Sequence, residues 1–94
     1  MMIRSFACQE TAFFFCERKS RSFPPDIQRV ALRILAQLHA VTELKHLAVP
    51  PGNRLEVLKG NRKGQHSIRI NDPWRICICW REDGPHQVEI IDYH

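Results

Sequence analysis

Positively charged side chains are concentrated between residues 58 and 76, which read LKGNRKGQHSIRINDPWRI. This stretch contains the following lysines and arginines: Lys59, Arg62, Lys63, Arg69 and Arg75. Such groups bind the phosphates of a nucleic acid, and they stabilise the negative charge that collects on a phosphate when RNA is cleaved. A surface that is basic only for solubility would contain the same residue types. Charge alone leaves these two interpretations evenly balanced, so the positions of the residues have to decide.

The composition of the chain as a whole is modestly basic. Its 94 residues include 14 Lys and Arg against 10 Asp and Glu, a formal net charge of +4. This length predicts one small domain over residues 1–94, and a hydrophobic fraction of 44% is ordinary for a globular protein. No apolar run reaches the roughly 18 residues of a membrane span, and the N-terminal sequence lacks the uninterrupted apolar core of a signal peptide. We expect a cytoplasmic protein with no membrane partner.

The cysteines are weak evidence for a metal site. They are Cys8, Cys16, Cys77 and Cys79, of which only the last two form a C-x-C pair. No second pair at metal-ligand spacing accompanies it. On a strand, Cys77 and Cys79 would point to the same face as free thiols. The sequence therefore predicts no metal and no other cofactor.

The elements that position the cations begin with a helix after Pro24 and Pro25. In DIQRVALRILAQLHA the apolar side chains recur at i, i+3, i+4, i+7, i+8 and i+11, which places them on one face of an α-helix. The prolines suit its first turn, where their missing N–H groups are not needed. We expect the apolar face to lie in the core. Upstream, residues 10–19 predict a helical turn or two with Phe13–Phe15 turned inward, and residues 2–7 predict a short strand.

Four strand-like runs follow the helices. They read RLEVLK, QHSIRI, WRICICW and HQVEIIDY, and turn-forming residues separate them. Two helices followed by consecutive strands predict an α+β fold in which the helices pack on one face of a small, mainly antiparallel sheet.

Alternation along the strands assigns the faces of this sheet. Ile68 and Ile70 point one way, whereas Arg69 points the other. In the next strand Ile76 shares a face with the tryptophans, and Arg75 lies opposite. If the apolar side chains meet the helices, Arg69 and Arg75 stand together on the uncovered face. The charged stretch then forms one cationic surface.

Several longer motifs resemble one family of bacterial toxins. RSFPPDIQ at 21–28, VPPGNRLEVLKG at 49–60, GQHSIRINDPWRI at 64–76 and the terminal DYH at 92–94 are together similar to the HigB/GraT-type toxins of the RelE superfamily. The similarity extends from residue 3 to residue 94, and the motifs are specific as a group. The resemblance implies the RelE-like fold, in which two N-terminal helices back a small antiparallel sheet, in agreement with the pattern of helices and strands.

The same resemblance implies a function. Toxins of this family are ribosome-dependent endoribonucleases that enter the ribosomal A site, where the ribose 2′-OH of the mRNA attacks the adjacent phosphate. The implied partners are the 70S ribosome with its mRNA and a HigA/GraA-like helix-turn-helix antitoxin, through which the toxin also reaches operator DNA. The alternative is a non-cleaving toxin that occupies the ribosome, or a co-repressor bound to its antitoxin. A stand-alone single-strand-binding domain would need an aromatic stacking platform that the sequence lacks.

The resemblance also assigns candidate catalytic residues by position. Lys59 of LKG matches the lysine of the family motif, Arg75 of WRI matches its sheet arginine, and Tyr93 of DYH matches its C-terminal tyrosine. Asp92 and His94 flank that tyrosine and are further candidates. Some relatives have a histidine three residues before the lysine, where this chain has Glu56. The identity of the general base is therefore open.

Cleavage of RNA without a metal needs a proton acceptor for the 2′-OH, cations for the phosphate, and a proton donor for the leaving 5′-oxygen. Glu56 is the candidate acceptor, although pairing with the cations is an equally good interpretation. Arg75 suits the phosphate because a guanidinium can grip two of its oxygens; its alternative is a salt bridge with Glu89 or Asp92. A protonated Lys59 is expected to stabilise charge rather than to accept a proton.

The remaining candidates are assigned to RNA binding and proton donation. Tyr93 would donate a proton or stack on a base, or else cover the sheet edge. His66 and His94 are included because imidazole titrates near neutral pH. The side chains expected to hold the RNA backbone are those of Arg62, Lys63, His66 and Arg69. For Arg62 and Lys63 simple solubility is a serious alternative.

Overall fold

The computed structural model describes residues 1–92 of the chain. Two helices come first, α1 at Gln9–Glu17 and α2 at Pro25–Ala40. Short 3-10 turns at Leu44–Ala48 and Pro51–Asn53 lead into the sheet. Its strands are β1 (Glu56–Val57), β2 (His66–Arg69), β3 (Trp74–Arg81) and β4 (Gly84–Asp92). A further 3-10 turn at Gly60–Arg62 lies between β1 and β2.

The strands form one sheet in the order β1-β2-β3-β4, and each pairs antiparallel with the next. The predicted α+β fold, two helices followed by an antiparallel sheet, is confirmed. β1 is much shorter than the run RLEVLK suggested, because only Glu56 and Val57 pair with β2. Before them, Arg54 has a left-handed backbone with φ of 45°. After them, the 3-10 turn begins at Gly60, so the strand has no room to extend.

The predicted strand at residues 2–7 does not form. Only a single parallel bridge joins Phe6 to Val88 of β4. Around it, the amide of Ala7 donates to the carbonyl of Val88 at 3.0 Å, and the amide of Val88 donates to the carbonyl of Ser5 at 3.0 Å. The segment therefore covers the outer edge of β4 without becoming a regular strand. β4 itself is irregular opposite this contact, where its pairing with β3 changes register.

The apolar stripe of α2 lies in the core, as the periodicity predicted. Its buried residues are Ile27, Ala31, Ile34, Leu35 and Leu38. They belong to the same cluster as Ile68, Ile76, Ile78, Val88 and Ile90 from one face of the sheet. Each fully buried large aliphatic side chain contributes about 1.5–3 kcal/mol relative to exposure. The helix therefore fixes which face of the sheet is covered.

The prediction for Phe13–Phe15 in α1 was wrong for the first of them. Phe14 is fully buried and packs edge-on against Phe23, with ring centroids 5.5 Å apart. Phe15 is partly buried and lies beside Phe6. Phe13 is 57% exposed. Successive residues of a helix point about 100° apart, so three in a row cannot all face one core.

The connection from α2 to β1 is anchored by a fully buried asparagine. Asn53 donates through Nδ2 to the carbonyl of Leu47 at 3.1 Å and to Oε1 of Gln37 at 3.1 Å. Its Oδ1 accepts from Nη2 of Arg33 at 2.9 Å. Both ends of the amide are therefore satisfied, as burial requires. This network fixes the segment from which β1 and the cationic stretch continue. Within residues 1–92 no helix is long and apolar enough to span a bilayer.

Candidate functional site

The face of the sheet that points away from the helices is called the open face below. Its residues, read from the strand register, are Glu56, Ser67, Arg69, Arg75, Cys77, Glu89 and Ile91. Arg69 of β2 pairs directly with Arg75 of β3, so the prediction that these two arginines stand together is confirmed. Side chains in such a pair have Cβ atoms about 4.5–5.5 Å apart, and like charges there are destabilising. An anion between the two guanidinium groups would relieve that repulsion.

Part of the open face is covered. Ser67 and Cys77 are each only 1% exposed, and Leu58 is buried although it lies outside the main core cluster. Arg62 extends from the β1–β2 connection to Glu89 on β4, which places its positive charge close enough to act on Cys77. Burial raises the pKa of the Cys77 thiol to about 11. This cysteine therefore stays protonated at neutral pH and is no candidate nucleophile.

The ion pair between Arg62 and Glu89 organises this end of the face. Nη1 of Arg62 lies 3.1 Å from Oε1 of Glu89 and donates to Oε1 of Gln65 at 3.0 Å. Both members of the pair are about one-third exposed or less. From the sequence, Glu89 was an alternative partner of Arg75. The observed partner of Glu89 is Arg62, which lies 27 residues away along the chain.

Arg69 is also held by a carboxylate. Its Nη2 donates to Oδ1 of Asp72 at 2.7 Å, within the turn between β2 and β3. The hydrogen bond from Arg69, followed by its charge, lowers the pKa of Asp72. The Arg69 side chain is 28% exposed, whereas that of Asp72 is 90% exposed. Nε of Arg69 is buried and has no hydrogen-bond partner among the described residues.

The turn that carries Asp72 is well defined. The amide of Trp74 donates to Oδ1 of Asn71 at 2.9 Å, and the amide of Ile70 donates to the carbonyl of Trp74 at 3.0 Å. An asparagine side chain that bonds to the backbone in this way stabilises a turn. The NDPW segment therefore holds the ends of β2 and β3 in the register that places Arg69 opposite Arg75.

The other cations lie on the connection between β1 and β2. Lys59 precedes the 3-10 turn at Gly60–Arg62, and Lys63 follows it; both are exposed. Gly60 has φ of +65°, a left-handed conformation that glycine adopts without strain. Glu56 is exposed at the outer edge of the open face, opposite Ser67. Within residues 1–92, neither lysine nor Glu56 forms an ion pair, so pairing of Glu56 with the cations is not observed there.

His66 is separated from the arginines. It pairs with Ile78 of β3, so it lies on the helix side of the sheet. Its Nδ1 is buried and has no partner among residues 1–92, and burial lowers its pKa below 6.5. The signal was present in the sequence, because alternation puts His66 on the same face as Ile68. The structure does not bring His66 together with the other predicted RNA-binding residues.

The C-terminal candidates are only partly described. Tyr93 and His94 lie outside the described residues. Asp92 is exposed and pairs with Trp74. The residue opposite Arg75 is the preceding one, Ile91, so Asp92 is not on the open face. Apart from this surface, a groove of about 460 Å³ lies at the connection between α1 and α2. Phe13, Lys19 and Arg21 help to line it, and none of the predicted site residues does.

Two helices over an antiparallel sheet, with a cationic face on the other side, are consistent with RelE-like toxins. Residues 4–94 match the family described as "RelE-like toxin of type II toxin-antitoxin system HigB". The chain is also 38% identical over 82 residues to Toxin HigB-1 of Vibrio cholerae serotype O1 (strain ATCC 39315 / El Tor Inaba N16961), which covers 87% of this chain and 85% of that protein. The chain therefore belongs to the HigB-like family of type II toxins. As such it has an antitoxin as partner.

Proposed function

We propose that this toxin is a ribosome-dependent endoribonuclease that cleaves mRNA in the ribosomal A site without a metal. In this proposal the ribose 2′-OH attacks the adjacent phosphate, and the 5′-oxygen leaves. A HigA/GraA-like helix-turn-helix antitoxin neutralises the toxin in the cytoplasm and carries it to operator DNA. The direct pairing of Arg69 with Arg75 on the open face supports the proposal most strongly.

The two arginines form a site for one phosphate. Their guanidinium groups project from neighbouring strands at paired positions, so both can contact the same group. A guanidinium offers two parallel N–H donors to phosphate oxygens. Negative charge on the phosphate increases in the transition state, when five oxygens surround phosphorus. The arginines would therefore stabilise the transition state more than the bound substrate, which is the condition for faster cleavage.

Proton transfer would involve residues around this pair. Glu56 is exposed on the open face and has no ion pair within residues 1–92, so its carboxylate is available to accept the 2′-OH proton. Lys59 would add positive charge near the phosphate. Tyr93, with Asp92 and His94 beside it, would supply the proton for the leaving 5′-oxygen. These roles are assigned by the position of each residue in the family motifs.

The remaining cations would hold the RNA backbone. Lys63 is exposed on the β1–β2 connection, and Arg62 lies across the open face. Contacts of this kind are independent of sequence and weaken as salt increases. We leave His66 out of the proposed contact surface because it lies on the helix side of the sheet.

Growth arrest and mRNA cleavage, measured together when the toxin is expressed in bacteria, distinguish an endoribonuclease from a toxin that only occupies the ribosome. The test compares the wild-type chain with a triple variant, Lys59→Ala, Arg75→Ala and Tyr93→Phe, produced at equal levels. The proposal predicts that cleavage of cellular mRNA and growth arrest are lost together. Arrest that persists in the triple variant while mRNA stays intact would contradict the proposal and indicate a toxin that blocks the ribosome. Lys45→Ala is the matched control, because Lys45 lies outside the open face.

A further inference from the structure

Two carboxylates, one on the open face and one in the turn between β2 and β3, lie beside cations that would bind RNA. Glu89 lies 3.1 Å from Nη1 of Arg62, and Asp72 lies 2.7 Å from Nη2 of Arg69. Two of the predicted RNA-binding cations therefore already interact with carboxylates in the free protein. A phosphate that binds either cation must share it with the carboxylate or displace the carboxylate.

The two ion pairs differ in how firmly they are held. Glu89 projects from the middle of β4, it is 27% exposed, and its arginine also donates to Gln65. Asp72 sits in a turn, is 90% exposed, and is three residues from Arg69. An exposed pair of this kind contributes little to stability because water and salt screen it. Of the two carboxylates, Asp72 is therefore the easier to displace.

Arg69 also has hydrogen-bonding capacity to spare. Its Nε is buried and has no hydrogen-bond partner among residues 1–92. Arg75 stands directly opposite, so the two positive charges repel each other. Asp72, 2.7 Å from Arg69, partly neutralises this repulsion in the free protein, and the hydrogen bond from Arg69 lowers the pKa of Asp72. A phosphate in the same place would satisfy both arginines.

We propose that Asp72 is a built-in counter-ion, which occupies Arg69 in the free toxin and yields it to an RNA phosphate on binding. Glu89, in contrast, is a permanent partner that positions Arg62 over the sheet. This inference rests on the proposed function, because it requires that the open face bind RNA phosphates. It adds that the Asp72 carboxylate competes with an RNA phosphate for Arg69. RNA therefore binds less tightly than it would if this carboxylate were absent.

The test measures the affinity of the purified toxin for a single-stranded RNA of about 12 nucleotides, labelled with fluorescein. All its 2′-hydroxyls are methylated, so it cannot be cleaved. Fluorescence anisotropy is followed between about 50 and 300 mM KCl, where screening of exposed charges changes strongly. The variants are Asp72→Asn, Glu89→Gln and Arg75→Ala. Asp26→Asn is the matched control, because Asp26 is exposed in the first turn of α2 and outside the open face.

Removal of the counter-ion should tighten binding. Asp72→Asn is expected to bind the RNA about two- to fivefold more tightly than the wild-type protein at the lowest salt. The dependence of log K on log salt should steepen by about 0.7, the value for one additional phosphate contact to a single strand. Asp26→Asn changes the net charge of the protein by the same amount, and its effect on RNA affinity should be smaller than that of Asp72→Asn. Glu89→Gln should weaken binding, because Arg62 loses the carboxylate that holds it over the sheet.

The outcomes separate this inference from the function on which it rests. If Asp72→Asn binds no more tightly than Asp26→Asn, Asp72 has only a structural role in the turn, and the inference is overturned. A thermal melt accompanies each variant, since a structural role alone would lower the melting temperature without raising affinity. If Arg75→Ala binds RNA as well as the wild-type protein, the open face is not the phosphate-binding surface. The proposed function then loses its structural basis, and the inference falls with it.

Discussion

Replacing Arg69 by glutamine is the most informative single change on the open face. The proposal places the Arg69 guanidinium within about 5 Å of the scissile phosphate. At that distance a unit charge contributes about 3 kcal/mol at an effective dielectric constant near 20, and less than 1 kcal/mol in bulk water. The Arg69 side chain is 28% exposed, so its environment lies between these limits. A loss of about 1–3 kcal/mol corresponds to a cleavage rate that is roughly 5- to 150-fold lower.

The assay is the rate of cleavage of a defined mRNA on purified ribosomes stalled with an empty A site. Arg69→Lys keeps the charge but loses the paired N–H donors of the guanidinium. We expect its cleavage rate to lie between those of Arg69→Gln and the wild type. Lys45→Ala is the control, because Lys45 is 76% exposed and its carboxylate partner Glu43 is outside the open face. A rate for Arg69→Gln within twofold of the wild-type rate would refute the two-arginine site. Unfolding curves of the Arg69 variants are compared with that of the wild type, because the change also removes repulsion from Arg75 and so affects stability.

Three further predictions concern stability and reactivity. Phe14→Ala should lower the free energy of unfolding by about 3–5 kcal/mol in urea titrations, because Phe14 is fully buried. Phe13→Ala removes a ring that is 57% exposed and should lower the free energy of unfolding far less. Equal losses would contradict the packing of α1. Burial holds the pKa of His66 below 6.5, so the unfolded chain binds a proton more readily. Stability should therefore fall as pH decreases below 6.5, and His66→Gln should flatten that dependence in unfolding curves measured by circular dichroism. Iodoacetamide at pH 8 should label the exposed Cys16 rapidly and Cys77 only after unfolding, as read by mass spectrometry, because Cys77 is buried with a pKa of about 11. Rapid labelling of Cys77 in the folded protein would contradict its burial.

Periodicity accounts for the features that were predicted from the sequence. The apolar stripe of α2 and the alternation in β2 and β3 determine which side chains face the core. The pairing of Arg69 with Arg75 follows from that alternation together with the short turn between the strands. The position of His66 on the helix side could have been predicted in the same way, because it has the parity of Ile68.

Contacts between distant segments could not be predicted in this way. The ion pair of Arg62 with Glu89 joins residues 27 positions apart, and nothing in the local pattern chooses Glu89 over other acids. The parallel bridge between Phe6 and Val88 lies where the pairing of β4 with β3 changes register, which only the folded sheet reveals. Asp72 is only three residues from its partner Arg69 in the sequence. Even so, no sequence pattern indicated that its carboxylate would turn toward Arg69.

The central claim is that the open face cleaves mRNA only on the ribosome, and primer extension on a defined mRNA in a purified translation system tests it most directly. The reaction is run with and without ribosomes, for the wild-type chain and for Arg75→Ala. The proposal predicts cuts that appear only with ribosomes and are lost in the variant. Translation that stops while the mRNA stays intact would contradict the claim, as would cuts of equal strength in the absence of ribosomes.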